Sequence, residues 1–185
     1  MDGQSTYTQA AARKSMQDGV VTTRMPLTDI EHEALQKMHA YWLSRGKGEL
    51  LPRRRDIDPL DFPWALGLVC LLEVEHAPVR FRYRVDGTII ADRHGEDFTG
   101  RTTDEVRPIF YADMLRNHFT EVVETRRATL YRIAIRYDER SKTYLRLAMP
   151  LADDGTTVNM ILTISDRITP PADRSTFGHY EERMR

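Results

Sequence analysis

The sequence predicts an α+β fold in which five antiparallel strands form one sheet, helices cover one face of the sheet, and an additional helix precedes it. Three observations support this prediction. Two short apolar segments come first, a long amphipathic helical pattern follows, and three alternating segments separated by turn residues come last. Tight turns between successive alternating segments favour antiparallel pairing, because hairpins join neighbouring strands. Helices packed on one sheet face would then bury the core.

The first regular element is predicted to be a helix over residues 28–45. Thr28 and Glu31 have the spacing of a capping box, and Gly46 is a suitable stop. The apolar residues that recur at helical spacing are Ile30, Ala34, Met38, Tyr41 and Trp42. This stripe must pack either on the sheet or on another subunit. The polar residues 1–26 before it show no periodicity and are predicted to form a flexible tail.

Strands are predicted on both sides of a second, longer helix. An apolar run over residues 66–74 has the length of a strand, although a short buried helix would also fit it. With the alternating segment over residues 81–85, it predicts the first hairpin. From Pro108 to Val123, apolar residues fall in pairs four apart, which predicts an amphipathic helix of about four turns. Alternation predicts three more strands over residues 130–137, 144–149 and 158–164.

Composition narrows the class of protein. The 185 residues suffice for one domain, placed at residues 27–166, with a second flexible tail at residues 167–185. The 27 basic and 28 acidic side chains give a net charge of −1, so no overall field favours nucleic acid or a membrane surface. No apolar run approaches the ~20 residues of a membrane span, and the first residues lack a signal-peptide core. The single cysteine, Cys70, fits a reducing compartment, and we expect a cytoplasmic protein.

Three local motifs, taken in order, resemble one family. The motifs are LPRRRDIDP at residues 51–59, FRYRVDGT at residues 81–88 and GEDFTG at residues 95–100. With the order of elements, they look like the pattern of a largely uncharacterised PAS-like family found mostly in alphaproteobacteria. The resemblance covers roughly residues 28–166. It implies a sensory or interaction domain, commonly a homodimer, with no established catalytic residues. Leading helices of such domains often pack against a second copy, so the stripe on the 28–45 helix is expected to form the dimer surface.

The space between the sheet and the helices is a natural pocket for a small molecule. The side chains predicted to line it are Phe81, Tyr83, Phe110, Met114, His118, Tyr131 and Ile133. We expect a non-catalytic sensory module that binds a small ligand or a signalling protein and relays that event through dimer or partner contacts. One alternative is a constitutive interaction module whose pocket is filled by its own side chains. The other is an enzyme that would use His118 with Tyr131 or Asp97.

Few patterns in the sequence indicate cofactor or metal chemistry. Phosphate-binding and hydrolase signatures are absent. Cys70 lies in an apolar run, which favours an inert buried thiol over a flavin-reactive one. His118 could be an axial haem ligand, but a lone histidine on the apolar side of a helix is more often half-buried and bonded to a backbone carbonyl or water. The segment 92–97 holds several potential metal ligands, but Asp97 is expected to bond nearby backbone amides instead.

Other polar residues are expected to shape loops. Gly87, Gly95 and Gly100 are predicted turn residues with positive φ. Arg54 and Asp56 are expected to tie the connector to the sheet through Arg–Asp pairs. No metal site is predicted at any of these residues.

Four strand arginines alternate with large apolar residues, and they are Arg82, Arg84, Arg132 and Arg146. Since the apolar positions should face the helices, these arginines are expected on the opposite, outer face of the sheet. An arginine that pointed inward would instead need an anionic ligand such as a carboxylate.

Overall fold

The computed structural model describes residues 19–137 and 140–167. The predicted tail beyond Arg167 and the first 18 residues of the chain lie outside the described residues. The helices are α1 Glu33–Arg45, α2 Thr88–His94 and α3 Ile109–Thr125. The strands are β1 Gly19–Met25, β2 Val69–His76, β3 Val79–Val85, β4 Thr129–Tyr137, β5 Arg140–Leu151 and β6 Met160–Arg167. Short 3-10 segments connect several of them, among them Leu27–Asp29 and Pro63–Leu68.

The sheet is antiparallel, as predicted, but it has six strands rather than five, in the order β1-β4-β5-β6-β2-β3. The sixth strand is β1, which lies inside the region predicted to be a flexible tail. It pairs with β4 from Gly19 opposite Arg136 to Met25 opposite Leu130. Without β1, the edge of β4 would present unpaired backbone groups, and pairing satisfies them. The four β-branched residues from Val20 to Thr23 favour a strand, but the segment is short and lacks the apolar alternation that identified most of the other strands.

Both faces of the sheet are covered, and not one face as predicted. On the first face, α3 packs over Phe81, Ile133 and Ile161 of the sheet. On the second face, α1 and the Pro63–Leu68 segment pack over Leu147 and other side chains of the central strands. Strand β5 shows the arrangement most clearly, because Leu145, Leu147, Met149 and Leu151 belong to the second face and the alternate residues to the first.

Helix α1 is part of this core, so its apolar stripe does not form a dimer surface. Met38 is fully buried, and the Trp42 indole donates a hydrogen bond to the carbonyl of Pro150 at 2.9 Å. The other predicted interface residues, Ile30, Ala34 and Tyr41, belong to or pack against the same cluster. The predicted capping box is also wrong, because α1 begins at Glu33 and Thr28 lies in the 3-10 segment. The end of the helix at Arg45, before Gly46, is as predicted.

Gly87 is needed for close approach rather than for a positive φ. Its φ is −60°, in contrast to 82° at Gly95 and 86° at Gly100. A Cβ at Gly87 would lie 2.6 Å from the carbonyl oxygens of Gly67 and Val69. The start of α2 therefore rests directly on the backbone that leads into β2, which fixes α2 at the edge of the space between sheet and helices. None of the described helices is both long and apolar enough to cross a membrane.

We predict that Met38→Ala lowers the free energy of unfolding by about 2–5 kcal/mol, because it removes a fully buried side chain and leaves a cavity. Leu43→Ala is the matched control on the same helix. Its side chain is 57% exposed, and the change should stay within about 0.5 kcal/mol. Urea unfolding followed by circular dichroism measures both. Equal effects of the two substitutions would contradict the burial of this stripe.

Candidate ligand-binding site

A cavity lies on the first face of the sheet, between the strands and the helices α2 and α3. Its volume is about 40 Å³. Since one water occupies about 10–15 Å³ on this measure, the cavity has room for a few waters or a small ligand. Its lining residues are Cys70, Tyr83, Ile90, Arg93, His94, Tyr111, Leu115, Phe119, Lys142, Thr143, Tyr144, Arg146, Thr163, Ser165 and Arg167. Lys142, Thr143 and Arg167 are only partly buried.

The chemical centre of the cavity is the guanidinium of Arg146. The residue is 6% exposed, and it stands on β5 opposite Tyr131 of β4 and Ser165 of β6. Its Nη2 donates to the hydroxyl of Tyr111 at 2.9 Å and to the hydroxyl of Tyr144 at 3.1 Å. Its Nη1 lies 3.8 Å from the sulfur of Met114.

Aromatic rings complete the surroundings of this guanidinium. Its central carbon lies 5.5 Å from the ring centroid of Phe119, 5.7 Å from that of Tyr144 and 6.0 Å from that of Tyr111. The negative face of an aromatic ring attracts a cation at such distances. The two tyrosine hydroxyls also bond to each other at 2.6 Å. The charge is therefore held by neutral groups from α3 and β5.

No carboxylate lies within 4.0 Å of the Arg146 guanidinium among residues 19–137 and 140–167. Burying a charge without a counter-charge is very unfavourable. The expectation that all four strand arginines face outward is therefore wrong for Arg146. The physical reason is that β5 is covered on both faces, so its apolar residues face α1 while Arg146 faces α3. The exposed Arg84, which lies 3.5 Å from Glu73, shows the arrangement that was expected.

The cavity is electropositive at its margin as well. Four lining residues are basic, namely Arg93, Lys142, Arg146 and Arg167, and no carboxylate is among the described lining residues. Arg93 donates to Asp166 at 2.9 Å and to the carbonyl of Ser165 at 3.3 Å. Asp166 also lies 3.3 Å from His32, next to the start of α1. Asp166 thus links the cavity wall to the residue that precedes the helix on the other sheet face.

Two histidines near Arg146 are neutral. Burial, together with the charges of Arg146 and Arg93, lowers the pKa of His94 to about 3. Burial, together with the charges of Arg146 and Arg24, lowers the pKa of His118 to about 3. The ring of His118 stacks on that of Tyr131 with centroids 3.6 Å apart, and it is not a lining residue of the cavity. The geometry therefore offers His118 no position as an axial ligand facing the cavity.

Cys70 and Asp86 form a buried pair at the β2 end of the cavity. The Cys70 thiol donates to the Asp86 carboxylate at 3.2 Å, and burial raises the pKa of both groups. The carboxylate also accepts from the backbone amide of Phe98 at 3.1 Å. A raised pKa keeps the thiol protonated at neutral pH, which makes it a poor nucleophile. This agrees with the interpretation of Cys70 as a structural residue.

Of the seven side chains predicted to bind the ligand, only Tyr83 lines the cavity. The other six fill the core between α3 and the sheet. Four of them are buried, namely Phe81, Met114, His118 and Ile133, and two are partly buried, namely Phe110 and Tyr131. They are on the correct sheet face, but they pack against one another, as Phe81 and Phe119 do with ring centroids 5.4 Å apart. The sequence did contain one indication of Arg146. The segment that follows it, Leu147-Ala148-Met149-Pro150-Leu151, is continuously apolar, which is typical of a strand buried on both faces.

The predicted loop-shaping residues bond locally, and the Arg–Asp pairs expected of Arg54 and Asp56 are not found among the described residues. Asp97 accepts from the backbone amide of Thr99 at 2.8 Å. Asp56 accepts from the amide of Arg53 at 3.0 Å, and Arg54 donates to the carbonyl of Ile57 at 2.8 Å. Within the part of the chain that the structure describes, no group of three His, Cys, Asp or Glu side chains could hold a metal ion.

We predict that His118 makes the protein less stable below neutral pH. In the unfolded chain it takes up a proton below a pKa of about 6.5, whereas in the folded state it stays neutral down to about 3. The unfolded state is therefore favoured as the pH falls through this window, by about 2 kcal/mol at pH 5. Urea unfolding at pH 7.5 and pH 5.0 should show a loss for the natural protein about 2 kcal/mol larger than for His118→Gln. Equal losses in the two proteins would show that His118 titrates normally.

A comparison with protein-family models agrees with the fold. The model described as PAS domain matches residues 30–164, which is most of the chain. No curated protein matches the chain significantly. The match begins before α1 and ends within β6, before the lining residues Ser165 and Arg167. PAS domains are, in general, sensory and signalling modules. The chain belongs to the PAS domain family.

Proposed function

We propose that this chain is a non-catalytic, cytoplasmic sensory module that binds a small molecule in the cavity beneath α3 and relays binding through dimer or partner contacts. The observation that carries this proposal is the buried guanidinium of Arg146, which borders a cavity and has no carboxylate partner among the described residues. Burial of a charge without a counter-charge destabilises the folded state, so such a charge indicates a functional role. A ligand that neutralised the charge would stabilise the folded state when bound.

The position of the cavity suits a sensor. A ligand there would contact the sheet through Arg146 and Ser165, the helix α3 through Tyr111, and the helix α2 through Arg93 and His94. The sheet and the helices α2 and α3 all contribute side chains to the wall of the cavity. Binding would therefore alter the free energy of their relative positions, which is what a relay requires.

Helix α2 is our candidate for the output of the signal. Its Ile90, Arg93 and His94 line the cavity, whereas Ile89 on the same helix is 44% exposed. Leu66, in the 3-10 segment next to α2, is 47% exposed. We assign the dimer or partner contact to this surface, since the stripe of α1 is buried within the chain. Asp166, which joins Arg93 to His32, supports a second route toward α1.

The alternative functions make different demands on these residues. An enzyme that used His118 with Tyr131 or Asp97 would need them at one site. Asp97 instead lies in an exposed loop, bonded to Thr99, while His118 stacks on Tyr131 in the core. A constitutive interaction module would need no space beneath α3, and the cavity beside Arg146 counts against it.

We predict that native mass spectrometry of the freshly purified full chain shows a bound small molecule that denaturation releases. The variant Leu115→Phe narrows the cavity and should lose the adduct, whereas Leu43→Phe, at an exposed position of α1, should keep it. Circular dichroism verifies that both variants fold. Absence of any adduct, before and after incubation with a cell extract, would contradict the sensory proposal and favour the constitutive module.

The same spectra report the oligomeric state. We expect a dimer or a partner complex whose population changes when the ligand is removed, and we expect Ile89→Asp to weaken it. A chain that stays monomeric in every condition, with partners absent from the spectra, would contradict the proposed relay.

A further inference from the structure

We propose that the cavity is specific for a small organic monocarboxylate, whose carboxylate binds Arg146 and whose apolar part lies against Leu115 and Phe119. This inference rests on the proposed function and adds the chemical class of the ligand. Three features of the cavity carry it: the hydrogen-bonding capacity left on Arg146, the charge balance around it, and the size and polarity of the remaining wall.

The first feature is the unused capacity of Arg146. A guanidinium has five N–H donors in a planar fork that fits a carboxylate. The bonds to Tyr111, Tyr144 and Met114 use three of them, and the last is a weak bond to sulfur. The remaining donors have no acceptor among the described residues. A ligand carboxylate would provide the acceptor oxygens that the protein does not.

The second feature is the balance of charge. Arg93 is already neutralised by Asp166, and the nearby His94 is neutral because of its burial. The thiol of Cys70 is protonated, so no anion of the protein competes at the wall. Lys142 and Arg167 are partly exposed at the margin, so the buried positive charge that remains to be neutralised is that of Arg146. A monoanion does this, whereas a dianion would bring a second charge into the core without a buried partner.

The third feature is the wall around the charge. Ile90, Leu115 and Phe119 provide an apolar surface next to Arg146, and the cavity of about 40 Å³ suits a small molecule. A hydrated inorganic ion gains nothing from such a wall. A short aliphatic carboxylate gains from burying its hydrocarbon part, at roughly 0.8 kcal/mol for each methylene group.

Calorimetric titration of the full chain with butyrate tests the inference, with chloride, inorganic phosphate and the neutral butyramide as comparison probes. We expect saturable binding of butyrate and none of the other three. Arg146→Met should weaken butyrate binding by about 10- to 150-fold, which corresponds to the loss of about 1.5–3 kcal/mol from a charged hydrogen bond. Arg84→Met removes an exposed arginine of β3, at the edge of the same sheet, and should change nothing.

Thermal unfolding, with and without ligand, provides a second readout. Because Arg146→Met removes a buried charge with no counter-ion, its melting temperature without ligand should be equal to or higher than that of the natural protein. Butyrate should raise the melting temperature of the natural protein and of Arg84→Met, but not that of Arg146→Met. Arg146→Lys, which keeps the charge but not the fork, should bind butyrate with intermediate affinity.

The outcomes separate this inference from the proposed function. If a co-purified molecule is neutral and binds Arg146→Met as well as the natural protein, the sensory function stands and the monocarboxylate inference is overturned. Equal binding of chloride, phosphate and butyrate would also overturn it, since the site would then read charge alone. If no molecule occupies the cavity in mass spectrometry and no carboxylate binds, both proposals fail.

Discussion

The guanidinium of Arg146 lies on the sheet face that α3 covers, and its position constrains what packs against it. Transfer of such a charge from water costs several kcal/mol even after the protein relaxes. The structure offsets part of that cost with the hydroxyls of Tyr111 and Tyr144 and with the ring of Phe119. Two of these three residues belong to α3, so the register of the helix on the sheet is tied to the charge. The same charge helps keep His94 and His118 neutral, and it places the cavity where apolar side chains cannot close the space.

The covering of both sheet faces explains why the strands could be predicted from the sequence while their orientation could not. Strands β4, β5 and β6 occur close to where alternation predicts them, and the helix α3 occurs where apolar pairs four apart predict it. Alternation separates two faces but does not say which face is covered by which helix. If only one face were covered, Leu147 would lie beneath α3 and Arg146 would face solvent. In the structure, Leu147 lies on the second face. The stripe of α1 supplies the missing cover, because Met38 and Trp42 pack over the second face.

The residues that line the cavity were harder to predict from the sequence than the strands. Apolar patterns identify residues that fill a core, and Phe81, Ile133 and Met114 do so. A cavity forms where close packing fails, which in this protein is beside polar groups such as Arg146 and Ser165. Tyr83 is the one residue that was predicted to bind the ligand and that also lines the cavity. Helix α2 is short and lies in a segment rich in turn residues, so the sequence did not predict it. Its position depends on Gly87, which packs against the backbone at Gly67 and so brings His94 to the cavity.

A crystal structure of the freshly purified full chain, with no carboxylate buffer added, is the most direct measurement of the central claim. We predict planar electron density for a carboxylate next to Leu115 and Phe119, with two oxygen atoms about 2.7–2.9 Å from the nitrogens of Arg146. A side chain of Arg146 that pairs with a carboxylate of its own chain, or that turns out of the core into solvent, would contradict it.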